Sequence, residues 1–587
     1  METGAERAPA QEGAPVYGPL PTSHRRSRRW VKSLLLLVIL VPAFLLRGLS
    51  LSHYPGREEA RLITDALAMQ VEGERAAGST RQGPLAHYCL VGVAATCRTL
   101  GLVPGFGEIW REWQSTPPGV STVALRLARL TAILLGLLAV TAVFFAGFQC
   151  GGLFGGAAAA MTLAAAPLAV RQGRLLSPEL ASAAMTAVGI ALAIWAIRKR
   201  RFLAGLAAAL FFGFAFGGQA FGALLFLPLL VIYMDLVQDG RRRLRQGFGL
   251  GLAFALGLLL ACARQALDFA WWVGFLQFHL AGPATPLFGL EGEATGWVFY
   301  ITRILPYALS FPLLSLAGVV GLFFGMRSGK YEWRFLFWSG AILFVFIGGV
   351  QVRTARSALP LAVLMAVGVG LFAASSRHRL QNHPGAAVVS LVMAVMLLFS
   401  VPDLFREALV LGREDTRTRA RRFLAREAGR GGSLRLLAML PVATSPPVGA
   451  APSPRRCLDA YPELQAPRFQ VEALCRVKHR PVLDHRLWSM LDGASNLLWD
   501  YYIWSGWAEG VMAERGEAHF GGPLAAFRKV RQRGKLVAEF GLGGGAAQGR
   551  LAEAHRRVVA GSWADRPGPY LRIYRLRPRP EIEPGRE

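Results

Sequence analysis

The sequence predicts a polytopic α-helical membrane protein, with about eleven transmembrane helices followed by a small C-terminal α/β extracytoplasmic domain. Three observations carry this. Of 587 residues, 53% are hydrophobic and only 17% charged, and the mean hydropathy is positive, +0.36. The apolar residues gather in runs of the length a helix needs to cross roughly 30 Å of hydrocarbon. Basic clusters recur at alternate ends of those runs, and hydrophobic runs vanish after about residue 402.

The chain opens with a basic cytoplasmic tail, 1–30, whose first 24 residues are rich in Ala, Gly, Pro and Glu, a composition of disordered chain. Arg25, Arg26, Arg28, Arg29 and Lys32 precede the first apolar run, 34–49. No small-residue cleavage site follows that run, so it reads as a retained helix and not as a signal peptide. Further runs lie at 131–148, 154–170, 181–197, 202–216, 221–236, 248–263, 305–324, 335–350, 358–374 and 386–401. They define a transmembrane domain over 31–401, with a long first external loop at 51–121.

A net charge of +28 raises the question of nucleic acid. Counting helices from a cytoplasmic N-terminus gives the charge a simpler use. Arg25–Lys32, Arg198–Arg201, Arg241–Arg243, Arg327 with Lys330, and Arg377 with Arg379 all fall inside, the positive-inside pattern. The same count puts 51–121, 171–180, the turn near 217–220, 264–303, 351–357 and the C-terminal region outside. Glu58, Glu59 and Glu179 then share the external face. So do Arg171, Arg174, Arg353 and Arg356, which break the positive-inside rule. An arginine there fits a phosphate through its planar fork; it also fits as a side chain snorkelling to lipid headgroups.

In the first external loop, Leu62, Ile63, Ala66, Leu67 and Met69 recur at helical spacing, so 60–71 reads as an amphipathic helix along the membrane surface. A second stretch, 87–102, is interrupted by Cys89, Cys97 and Arg98 and reads as another interfacial helix. Beyond 402, 417–427 looks helical, and 434–440, 535–540 and 570–574 look like strands. Cys457 and Cys475 lie in this part, where an oxidising exterior permits a bridge without requiring one. No Cys/His spacing resembles a zinc site, and no phosphate-loop or dinucleotide glycine signature is present. No cofactor is implied, and a divalent metal stays open. The high Ala, Gly and Arg content suggests a bacterium with a GC-rich genome, and hence its inner (plasma) membrane.

Several segments resemble the GT-C superfamily of membrane glycosyltransferases, family 39 type, related to protein O-mannosyltransferases and the aminoarabinose transferases of lipid A. Glu58-Glu59-Ala60 stands where that family has Asp-Glu-Ala after its first helix. Gly83-Pro84-Leu85-Ala86-His87-Tyr88 is similar to its Pro-Pro-Leu-x-x-Tyr segment. Ala124–Arg129 resembles the Arg-containing start of its second helix. Phe154-Gly155-Gly156 opens a stretch running to Gly173-Arg174 and Glu179, where the family has Asp. Gly217-Gly218-Gln219 matches a loop that often carries Lys, and 353–360 resembles an Arg-x-x-Tyr-x-x-Pro region. The last strand, 569–576, is similar to a common terminal strand.

The resemblance implies transfer of a sugar from a polyprenyl-phosphate donor to an acceptor hydroxyl of a lipid, glycan or protein at the external face. In that reading Glu58 is the general base, and Glu59 and Glu179 orient the acceptor or hold the site. Arg174, Arg353 and Arg356 would meet the phosphate, and His87, Tyr88 and Gln219 the substrate. The residues read alone leave simpler roles open. Glu58–Glu59 also fits a solvated helix start. Ser177-Pro178-Glu179 is an ordinary helix-capping pattern. His87 and Tyr88, like Trp271, Trp272 and His279, suit interfacial anchoring. The competing functions are a catalytically inactive relative that binds polyprenyl lipid or scaffolds a complex, and a lipid or sugar transporter.

Overall fold

In hydrocarbon every backbone N–H and C=O must be satisfied without water, and within one segment only a helix does this. A computed structural model of the chain describes residues 22–48, 57–73, 84–115, 121–262, 296–309, 312–327, 329–349 and 355–379, five strands between 434 and 576, and a few isolated residues. Among the described residues six helices are long and apolar enough to cross a membrane, and three shorter ones are apolar. The run expected at 386–401, most of the 264–303 loop, and Cys457 and Cys475 lie outside the described residues, as does the helix expected at 417–427 apart from isolated positions.

The first helix, α1, spans Thr22–Gly48. It starts inside the expected tail, so the basic cluster is helical: nothing between Thr22 and Lys32 breaks a helix that hydrocarbon favours further on. Two amphipathic helices follow, α2 (Arg57–Val71) and α3 (Leu85–Thr99). A third surface helix, α4 (Phe106–Ser115), was not expected from the sequence. It is fastened by Trp113 Nε1, which donates to Thr64 Oγ1 at 3.0 Å, and by Glu112, which accepts from the Val123 amide at 3.1 Å.

The next element, α5 (Val123–Ala164), is capped by Thr122 and runs for 42 residues, but Gly152 within it has φ 67° and ψ −162°, which no helix contains. A Cβ on Gly147 would sit 2.7 Å from the Gly155 carbonyl. The two flanks of Gly152 therefore lie against each other, and α5 is an antiparallel hairpin whose arms carry the runs at 131–148 and 154–170. A short α6 (Pro167–Gln172) leads to α7 (Pro178–Lys199), capped by Ser177, whose hydroxyl accepts from the Leu180 amide at 3.2 Å.

Then come α8 (Phe202–Phe216), α9 (Ala220–Ala223), α10 (Phe226–Asp235) and α11 (Gly240–Ala261). Next come α12 (Gly296–Phe299) and a π-helical turn Tyr300–Ile304, and the span expected at 305–324 holds two described helices, α13 (Leu305–Ala308) and α14 (Pro312–Arg327). Pro306 and Pro312 each lack the N–H that a continuous helix needs. The bundle ends with α15 (Tyr331–Gly349), a 3₁₀ turn Ala355–Ala358, and α16 (Leu359–Arg379).

Packing relies on small residues, which suits helices that gain nothing from expelling water. A Cβ on Gly257 of α11 would lie 2.2 Å from the Leu210 carbonyl of α8, and one on Gly321 of α14 would lie 1.9 Å from the Gly368 carbonyl of α16. On the outside, α1 and α11 expose Leu34, Leu37, Val38, Phe248 and Leu252, apolar surface suited to acyl chains.

The strands β1 (Leu434–Ala438), β2 (Phe469–Ala473), β3 (Tyr501–Ser505), β4 (Gly534–Phe540) and β5 (Leu571–Leu576) form one sheet in the order β2-β1-β3-β5-β4. The β1 strand runs parallel to both its neighbours, whereas β5 is antiparallel to β3 and β4.

Candidate active site

Segments far apart in sequence meet at one end of the bundle, where α1 stops, α2 starts, the α5 hairpin opens, and the turn 173–177 leads into α7. Three arginines and one glutamate are almost fully enclosed there: Arg47 at 1% exposure, Arg129 and Arg174 at 3%, and Glu59 at 2%. Their partners account for them. Glu59 takes Arg129 as an ion pair at 2.9 Å, and its other oxygen accepts from the Leu176 amide at 3.1 Å. The Arg129 Nη1 donates to the Arg174 carbonyl. The guanidinium of Arg174 donates twice to the Leu46 carbonyl, at 3.1 and 2.7 Å. Arg47 donates to Ala43 at 3.0 Å and to Ala164 at 3.5 Å.

Of these acceptors, the Leu46 and Ala164 carbonyls lie in the last turns of α1 and of the returning arm of α5. A helix C-terminus carries partial negative charge and unsatisfied carbonyls, so a cation there needs no carboxylate. This explains how three enclosed guanidinium groups coexist with one enclosed acid. Glu59 is thereby part of a clamp that ties α2 to α5 and to the 173–177 turn.

Glu179 is placed differently. It lies in the first turn of α7, bonded by the Ser177 side chain, and its Oε2 has no hydrogen-bond partner among the described residues. No ion pair joins it to a described base. Beside it, a Cβ on Gly218 would lie 2.3 Å from the Pro178 carbonyl, and the Ser182 hydroxyl donates to the Gln219 carbonyl at 3.1 Å. The Leu85 amide donates to the Gly217 carbonyl at 3.0 Å, which brings the start of α3 to the same place. The side-chain oxygen of Gln219 is buried without a partner.

His87 is 3% exposed. Burial pushes its imidazole down to about 4, with Arg61 adding to the shift and the Pro84 backbone opposing it. It is neutral at pH 7 and offers one donor and one acceptor, not a positive charge. Tyr88 is exposed. Arg171 closes α6, and Arg356 lies in the 3₁₀ turn Ala355–Ala358, which packs against α6 and α7.

Of the residues singled out from sequence, Glu59, Glu179, Arg174 and Gln219 sit on elements that meet at this end, with His87 and Tyr88 at the start of α3 and Arg356 in the 3₁₀ turn. The side chain of Glu58, and Arg353, lie outside the described residues. Sequence reasoning missed Arg47 as a site residue and gave Arg129 no role. The signal for Arg47 was present: a cation at the end of a helix that the helix count places outside, like Arg174. Among the described residues no three His, Cys, Asp or Glu side chains are grouped so as to hold a metal ion.

An enclosed charged clamp beside a carboxyl with no ion pair to a described base, at one end of helices long and apolar enough to cross a membrane, fits a polytopic membrane protein with a polar site at one end of its bundle. Within that class the chain has the fold of the GT-C glycosyltransferases. The oligosaccharyltransferase of Archaeoglobus fulgidus tethered to an acceptor peptide matches with a TM-score of 0.50 at 12% identity, over 83% of this chain and 71% of that one. ArnT from Cupriavidus metallidurans bound to undecaprenyl phosphate matches at 0.44 and 17% identity, over 68% and 73%. The mycobacterial arabinofuranosyltransferase AftD matches at 0.42 and 16% identity, over 94% of this chain but 40% of that one. No protein-family model and no curated protein matches the sequence.

Proposed function

We propose that the protein transfers a sugar from a polyprenyl-phosphate donor to an acceptor hydroxyl at the external membrane face. The observation that carries this reading is the meeting, at one end of the bundle, of an unpaired carboxyl on α7 with arginine-bearing turns and with the helix that Glu58 and Glu59 begin. In the reaction the acceptor oxygen attacks the anomeric carbon and loses its proton to a carboxylate. The bond from that carbon to the phosphate oxygen breaks, and polyprenyl phosphate leaves with the electron pair.

Glu58 is our general base. Glu59, tied to Arg129, holds the base in place, and Glu179 orients the acceptor. Arg353 and Arg356 meet the departing phosphate, with Arg174 adding its charge from the adjoining turn. Neutral His87, with Tyr88 and Gln219, contacts sugar hydroxyls. ArnT bound to undecaprenyl phosphate and the Archaeoglobus enzyme in complex with a dolichol-phosphate support the lipid as partner. The second reading, a non-catalytic binder of polyprenyl lipid, is favoured by one observation: Glu59 is fully engaged in holding helices together.

Membranes containing the wild type, given labelled polyprenyl-phosphate sugars, should incorporate label, and Glu58→Gln should lower the rate by about a hundredfold or more. Equal incorporation by the two proteins removes Glu58 from catalysis. Donor binding without any transfer establishes the binder.

A further inference from the structure

The turn that delivers Glu179 is held from four sides, and one of its holders is named by no motif. Arg47 lies between two glycines. A Cβ on Gly173 would sit 2.6 Å from the Arg47 Nε and 3.0 Å from its Cδ, and one on Gly136 would sit 2.9 Å from the same Nε. Only a pair of residues without side chains leaves this slot for the guanidinium, whose Nη1 reaches the Ala43 and Ala164 carbonyls. The hold is reciprocal. Arg47 of α1 grips the segment from Ala164 to Gly173, while Arg174 of that segment grips the Leu46 carbonyl of α1. Next along the chain, Arg129 bonds the Arg174 carbonyl, Glu59 accepts from the Leu176 amide, and Ser177 caps α7. The two arginines, the Glu59–Arg129 pair and the cap thus anchor the segment from Gly173 to Glu179 to α1, α2 and α5.

We propose that Arg47, seated between Gly136 and Gly173, is a positioning residue: it fixes the 173–177 turn and, through it, the carboxyl of Glu179. Its kinetic consequence rests on the glycosyl-transfer reading, whereas its effect on the Glu179 carboxyl does not. Glu179, unlike Glu59, has no ion pair to a described base, so of the two it is the one that a hydrophobic carbodiimide should modify.

The test uses the full chain in membranes, with dicyclohexylcarbodiimide labelling of Glu179 read by peptide mass spectrometry beside donor kinetics. Gly173→Ala displaces Arg47 without removing its charge, Arg47→Met removes the charge, and Arg47→Lys restores it. Gly213→Ala, whose Cβ would meet the Phe254 carbonyl at 2.3 Å, disturbs the bundle between α8 and α11 and serves as control. Gly173→Ala and Arg47→Met should change the Glu179 labelling rate by about threefold or more and lower kcat by about tenfold, with KM for the donor within about twofold. Arg47→Lys should recover most of both, and Gly213→Ala should lower stability while leaving labelling per folded molecule unchanged. Unchanged labelling in Gly173→Ala and Arg47→Met, or an equal change in Gly213→Ala, overturns the proposal. A wild type that transfers no sugar overturns only the glycosyl-transfer reading, because the labelling arm still decides the role of Arg47.

Discussion

Glu59 is held by Arg129 at 2.9 Å and by the Leu176 amide, with both side chains of the pair out of water. Removing one member of such a pair leaves the other charge enclosed and uncompensated. Glu59→Gln should therefore destabilise the protein by about 3–5 kcal/mol, and Glu59→Gln with Arg129→Met together by less than the sum of the two. Thermal unfolding in detergent measures both. His87 gives a pH signature. Its folded value of about 4 lies below the ordinary 6.5, so between these values the unfolded chain binds the extra proton. The contribution is fully present above pH 6.5 and is lost as pH falls toward 4, a loss of about 3 kcal/mol. His87→Gln should flatten that part of the stability profile; an unchanged acid limb would place the titrating group elsewhere.

Among the elements, the α5 hairpin depends on one residue. The φ of 67° and ψ of −162° at Gly152 lie where side-chain-bearing residues are strained. Gly152→Ala should cost about 1–3 kcal/mol in thermal stability, and no loss would mean the turn has another way to close. The two arms were legible as separate apolar runs because Gln149, Cys150, Gly151 and Gly152 interrupt the hydrophobicity. The α2 helix was legible from its periodicity, and α3 as an apolar stretch interrupted by Cys89, Cys97 and Arg98. For α4 the case differs: Glu108, Arg111 and Glu112 alternate with Trp110 and Trp113, and what settles the helix are bonds to Thr64 and Val123 that no local pattern reveals. The sheet shows the same limit. Tyr501-Tyr502-Ile503-Trp504 is a continuous apolar run, which periodicity cannot assign to strand or helix, yet it forms β3 between β1 and β5.

Across the molecule, helix counting and the positive-inside rule placed the acidic loop, the 173–179 turn and the 217–219 turn on one face, and these segments do meet. Counting could not say which charges pair. Arg174 and Leu46 are separated by 128 residues, and Glu59 and Glu179 look alike as letters, although one is clamped by an ion pair and the other has none to a described base. Orientation in the membrane is a prediction for the whole chain. Glu108→Cys on α4 should react with an impermeant maleimide from outside intact cells, and Lys199→Cys at the end of α7 only after permeabilisation. The reverse pattern would turn the molecule over and move the proposed site to the cytoplasm.

The reciprocal grip between α1 and the start of α7 also sets an order of events during synthesis. The partner of Leu46 is made 128 residues later. At about 5–20 residues per second this is a delay of roughly 6–25 s. Through that interval the Leu46 carbonyl lacks Arg174, and Arg47, though it can already bond Ala43 within α1, lacks the Ala164 carbonyl. Headgroups, water or the insertion machinery must serve in their place. The α1 helix is thus fastened only once α5, α6 and the start of α7 have followed it.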